Sequence, residues 1–99
     1  MRLVRDYPFL GEARARRFAS SYGSLCLRFL HGMTHEAQLG DTFGAGLTQA
    51  EVDYLVRDEW ARSTDDILWR RTKLGLRLDA AQQERLTTYL ERHRREHAA

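Results

Sequence analysis

Apolar positions recur at helical spacing along most of the 99-residue chain, and a period of two is sustained nowhere. Leu10, Ala13, Phe18 and Tyr22 fall on one face, and Leu25, Phe29 and Leu30 continue it, which predicts a helical region over 10–32. Pro8 suits its start, where the missing N–H is not needed. Gly23 divides the region, because Ser20-Ser21-Tyr22-Gly23-Ser24 is a weak helix-forming run that favours two helices over one. Over 34–46, Gly40, Gly44 and Gly46 with Asp41 and Thr42 predict a loop. One helical turn is expected at 35–39, with Leu39 and Phe43 pinning the loop to the core.

Three helix starts carry local signals. Thr48-Gln49-Ala50-Glu51 spells a capping box, in which the Thr48 hydroxyl accepts from the Glu51 N–H and the Glu51 carboxylate reaches back to the Thr48 N–H. Leu47 and Val52 are placed as a hydrophobic staple, and Val52, Leu55, Val56 and Trp60 form a stripe that predicts a helix ending near Ala61 or Arg62. Ser63-Thr64-Asp65-Asp66 is a second capping box, followed by Ile67, Leu68 and Leu74 as apolar contacts. Arg70, Arg71 and Lys73 then sit where cations favour a helix C-terminus, and Gly75 is the natural stop. Asp79 and Gln82 open the last helix, which carries Leu86, Leu90, His93 and His97 on one face and a charged, fraying end over 91–99. The fold class predicted is all-α: one compact bundle of about five short helices over 1–99, with no sheet.

Composition narrows the partners. With 42% apolar and 30% charged residues the chain is too apolar for intrinsic disorder. Its 16 basic residues against 14 acidic ones leave only +2, which supplies no concentrated basic face, so no nucleic-acid partner is expected. A helix-turn-helix around Gly23 would offer only Arg28 from its second helix. Cys26 is the sole cysteine, so no intrachain disulfide can form and a reducing, cytoplasmic setting is expected. No apolar run approaches the roughly 18–20 residues of a membrane span, and the first residues lack a secretory signal's apolar stretch. Opening at once on Tyr7-Pro8-Phe9-Leu10, the chain reads equally well as a fragment cut at a domain boundary.

Candidate chemistry is sparse. Gly44-Ala45-Gly46 lacks the third glycine and the preceding strand of a nucleotide cradle. His93 and His97, and likewise His31 and His35, are four apart, which is half a metal site. Cys26 lies between Leu25 and Leu27 as a buried thiol would. Asp65–Asp66 and Asp58–Glu59 are adjacent pairs whose side chains diverge on a helix, so they do not share a proton. No catalytic, cofactor-binding or metal-ligating residue is expected. One cluster resists so plain a reading. Between Glu51 and Lys73, Tyr54, Trp60 and Trp69 interleave with eleven charged side chains. This is either a salt-bridged face around a tryptophan core or a surface that docks on protein, where Trp, Tyr and Arg are favoured.

The run from Glu51 through Tyr54, Glu59, Ala61, Thr64, Asp66, Leu68, Arg70, Arg71, Thr72 and Lys73 closely resembles the C-terminal helical domain of the FAD-dependent, respiratory glycerol-3-phosphate dehydrogenases. Tyr7-Pro8-Phe9-Leu10 and Tyr22-Gly23 extend the likeness. The resemblance implies a C-terminal cap domain without chemistry of its own. The parent oxidises glycerol 3-phosphate to dihydroxyacetone phosphate on FAD and passes electrons to quinone at the cytoplasmic face of the inner membrane. FAD belongs to an N-terminal flavoprotein domain, whose dinucleotide fingerprint is absent here. Arg70, Arg71 and Lys73 are then expected to dock against that domain, with Glu59 pairing with Arg62 or a later arginine. Without the partner, Trp60, Trp69 or Phe43 would be exposed and a homodimer becomes possible. The rival reading is a free-standing interaction or DNA-binding module.

Overall fold

The computed structural model describes residues 3–97, the His97 side chain excepted. Five α-helices form the domain: α1 (Leu3–Asp6), α2 (Glu12–Tyr22), α3 (Leu27–Leu30), α4 (Gln49–Asp58) and α5 (Ala80–His97). The all-α plan holds, but the exclusion of any sheet does not. Residues 42–48 form a small antiparallel hairpin, β1 (Thr42–Gly44) against β2 (Leu47–Thr48), paired Thr42 to Thr48 and Gly44 to Leu47 across a bulge. Strands of three and two residues are too short to show alternation. The hairpin lies on α5: the Phe43 ring is 5.3 Å from that of Tyr89, and the Arg85 guanidinium donates to the Thr42 carbonyl. Where a Cβ on Gly44 would stand, the Gln82 amide already sits.

Pro8 opens only a 3-10 turn (Pro8–Leu10), and Gly11, with φ +80°, separates it from α2. The buried face of α2 is Ala15, Phe18 and Tyr22, while Ala13 is exposed. Gly23 does end α2, at φ +56°, and its N–H donates to the Ala19 carbonyl. A 3-10 turn (Gly23–Cys26) rather than a Ser24 cap leads into α3, and Leu25 is left exposed. The expected turn at 35–39 appears as Glu36–Leu39, with Leu39 and Phe43 buried. Phe18, Tyr22, Phe29 and Tyr54 pack edge-on and tilted at 5.0–5.9 Å between centroids, so α2, α3 and α4 share one aromatic core. Aromatic pairs in this range add about 0.5–1.5 kcal/mol beyond burial. The last helix starts as predicted: Asp79 Oδ1 accepts from the Gln82 N–H and Gln82 Oε1 accepts from the Asp79 N–H, both at 2.8 Å. It is helical through His97.

Candidate docking surface

The second capping box forms as written. Ser63 Oγ accepts from the Asp66 N–H, and Asp66 Oδ2 accepts from the Arg62 and Ser63 N–H groups. Those backbone donors, that of Arg62 first, hold the Asp66 carboxyl below the usual carboxylate range. The helix that follows is not regular. Over Asp66–Arg71 it widens to a π-helix, whose end is marked by the Thr72 N–H donating to the Ile67 carbonyl at 2.9 Å. Such wide turns are rare and recur at functional sites. The segment does not end on Gly75. Lys73 takes the left-handed conformation, at φ +58°, and Gly75 is needed for room, since the Trp69 indole occupies the space of a Cβ there.

Trp60 is the second departure. The stripe on α4 keeps Val52 and Leu55 buried, but the helix stops at Asp58 and Trp60 turns left-handed, at φ +64°. For a side chain with a Cβ this conformation costs roughly 1–2 kcal/mol. The turn lets both the Glu59 and the Ala61 N–H reach the Leu55 carbonyl, and it puts Trp60 out at 75% exposure. Trp69 is 46% and Leu76 90% exposed, whereas Phe43, the third residue expected to be uncovered, is buried. A tryptophan core under a charged face is thus not what forms here.

The four residues singled out for docking fall into two groups. Glu59 and Arg71 meet: the Arg71 guanidinium lies 3.5 Å from Glu59 Oε1 and donates to the Glu59 carbonyl at 2.7 Å. Glu59 also accepts from the buried Tyr54 hydroxyl at 2.7 Å, which ties the surface pair to the core. Burial, then this carboxylate, push the Tyr54 hydroxyl up to about 12. Arg70 and Lys73 point outward. Arg70 is 3.6 Å from Asp66 and largely solvated, and Lys73 is exposed. Segment 59–76 thus exposes arginines, a lysine, two tryptophans and Leu76, with Trp60 and Lys73 on left-handed backbone.

A polar network escaped the sequence reading. Glu51 does not cap α4, and Thr48 has no side-chain cap bond. The Glu51 carboxylate is fully buried and accepts from both Arg17 Nη atoms, at 2.6 and 2.7 Å, and from the Tyr22 hydroxyl. Burial of Arg17 opposes its charge, but the Glu51 hydrogen bonds and charge outweigh that and raise it. Burial and the adjacent Glu51 charge drive the Tyr22 hydroxyl far above the usual phenol range. The signal available was position. Glu51 sits on the buried side of α4 with Val52, Tyr54 and Leu55, where a carboxylate requires a partner.

Cys26 is buried, and burial raises its thiol above the ordinary value. His93 lies 3.8 Å from Asp53, which also accepts from the Tyr89 hydroxyl. The His97 side chain is outside the described residues.

The family model for the C-terminal domain of alpha-glycerophosphate oxidase matches residues 1–96. A glycerol-3-phosphate dehydrogenase of Pseudomonas aeruginosa is 48% identical over 89 residues, 90% of this chain and 17% of that protein. The aerobic glycerol-3-phosphate dehydrogenase of Escherichia coli is 47% identical over 89 residues, 90% of this chain and 18% of that protein. A D-erythritol 1-phosphate dehydrogenase of Brucella abortus is 37% identical over 81 residues, 81% of this chain and 16% of that protein. The chain therefore spans less than a fifth of the length of these curated relatives. The resemblance carried by residues 51–75 is borne out, and the chain belongs to the family of C-terminal domains of alpha-glycerophosphate oxidase.

Proposed function

We propose that this chain is the docking domain at the C-terminal end of an FAD-dependent glycerol-3-phosphate dehydrogenase, and that segment 59–76 is the surface it turns toward the flavoprotein domain. The observation that carries the reading is the exposure of Trp60, Trp69 and Leu76 beside Arg70, Arg71 and Lys73. The relatives are about five times as long as this chain, and in this reading the rest of such a protein covers that surface. Trp and Arg are the side chains that contribute most at such contacts.

In this reading the parent oxidises the secondary hydroxyl of glycerol 3-phosphate to the ketone of dihydroxyacetone phosphate, on FAD, at the cytoplasmic face of the inner membrane with quinone as acceptor. The glycines at 44–46 turn a hairpin whose open space at Gly44 is filled by Gln82, so no phosphate cradle is formed there. Among the described residues no helix is long and apolar enough to cross a membrane. Relatives named for two different polyol phosphates share this domain, which supports a scaffold role rather than substrate choice.

The test is a chimera in which the chain replaces the matching segment of the Pseudomonas aeruginosa enzyme. Arg70→Ala with Arg71→Ala is expected to lower both turnover and melting temperature of the chimera, while the isolated chain melts almost unchanged. A chimera indifferent to the double substitution would remove the docking role.

A further inference from the structure

Next to Trp60 the surface is cut by a groove of about 460 Å³ between the end of α4 and α5. Its apolar lining is Val56, Ala61, Leu90 and the Trp60 indole, and its polar lining is Arg62, His93 and Arg94, with His93 3.8 Å from the Asp53 carboxylate. None of its lining residues is a carboxylate. Among the described residues neither guanidinium makes an ion pair. Arg94 donates instead to the Arg62 backbone carbonyl at 2.9 Å, which ties α5 to the loop after α4. The Thr64 and Thr87 hydroxyls, hydrogen-bonded at 2.5 Å, fix the same loop to α5. The left-handed backbone at Trp60 keeps the indole at the edge of the groove rather than in the core. An apolar trough lined by two arginines and by no carboxylate is complementary to an apolar side chain flanked by carboxylates.

We infer that this groove receives an acidic segment of the flavoprotein domain, with an aliphatic or aromatic side chain against Val56, Ala61 and Leu90 and a carboxylate on Arg62 and Arg94. The inference rests on the docking reading and extends it from segment 59–76 to α5. The occupant is placed in the same longer chain because the groove is continuous, through Trp60, with the surface assigned to that domain. Its α5 side, Leu90 to Arg94, lies outside segment 59–76 and makes the groove a second anchor.

The experiment exploits Lys73 being the only lysine. In the chimera described above, Arg62→Lys and Arg94→Lys are made singly and treated with a water-soluble carbodiimide, which joins amines to touching carboxylates. Both positions are exposed and keep their charge, and unchanged near-ultraviolet circular dichroism confirms that each variant folds. Peptide mapping is expected to find the introduced amines linked to carboxylates of the flavoprotein portion. Links only to this chain's own acids, links to a second copy in a mixture of isotopically light and heavy protein, or no links at all would each overturn the inference. Lys73 separates the two ideas. If Lys73 links to the flavoprotein portion and the introduced amines do not, the groove assignment falls and the docking face stands. If none of the three links, both fall.

Discussion

Arg17–Glu51 and Arg71–Glu59 join the same chemical groups in opposite settings. The first is bidentate, with Glu51 fully buried and Arg17 16% exposed, and the Tyr22 hydroxyl completes it. The second is held at 3.5 Å, with Arg71 40% and Glu59 22% exposed, and its strongest bond is to a backbone carbonyl. An exposed ion pair contributes about 0–1 kcal/mol, whereas breaking a buried one costs about 3–5 kcal/mol because the remaining charge is stranded. One pair therefore holds α2 to α4. The other adds little to this chain's stability, yet it orders a segment that tolerates two left-handed side chains and a π-helix. Left-handed side chains and a wide turn gathered in one exposed segment are part of what the docking proposal rests on.

The sharpest way to break the comparison is Glu51→Ala. It leaves the Arg17 guanidinium and the Tyr22 hydroxyl without their acceptor, and the expected loss is about 3–5 kcal/mol in a urea titration. A loss below 1 kcal/mol would make the two pairs equivalent. Gly75→Ala comes next. The added methyl meets the Trp69 ring, and overpacking of this kind costs about 1–3 kcal/mol. Trp69 fluorescence is expected to shift with it, because the ring must move. Lys73→Gly acts the other way. Relief of a left-handed side chain, partly offset by a freer unfolded chain, is expected to stabilise the isolated domain by up to about 1 kcal/mol.

The smallest effects come with pH, and they divide along the same line. Raised hydroxyls at Tyr22, Tyr54 and Tyr89 give a stabilisation fully present below the ordinary phenol range. It is lost as pH rises through the folded values, which for Tyr54 is about 12. Tyrosinate absorbance is therefore expected to appear late and together with unfolding. The lowered Asp66 carboxyl gives the opposite slope, with stabilisation present above the ordinary carboxylate range and lost as pH falls through its lowered value. Asp66→Asn is expected to flatten that acid limb of the melting profile.

What could be read in advance was local. The boxes at Ser63–Asp66 and Asp79–Gln82 close within three residues, and both form. Thr48–Glu51 has the same spelling and fails, because Arg17, 34 residues away, takes the carboxylate. No window of sequence contains that competition. Gly75 was taken for a conformational stop when its role is space for Trp69, a tertiary fact, and the left-handed residue is Lys73 instead. Trp60 fitted the stripe of α4 by spacing and left it because the helix ends two residues earlier, at Asp58. The pairing of Glu59 with a later arginine was legible from opposite charge, since Arg71 follows in the next helical segment. The groove was not, because Val56 and Leu90 converge only when α4 meets α5.

The claim that segment 59–76 is a docking surface is tested most directly by hydrogen exchange, comparing the isolated chain with the chimera. The backbone amides of 59–76 are expected to slow markedly in the chimera, while those of α2 (Glu12–Tyr22) and α4 (Gln49–Asp58) stay as they were. Equal exchange of 59–76 in the two proteins would contradict it.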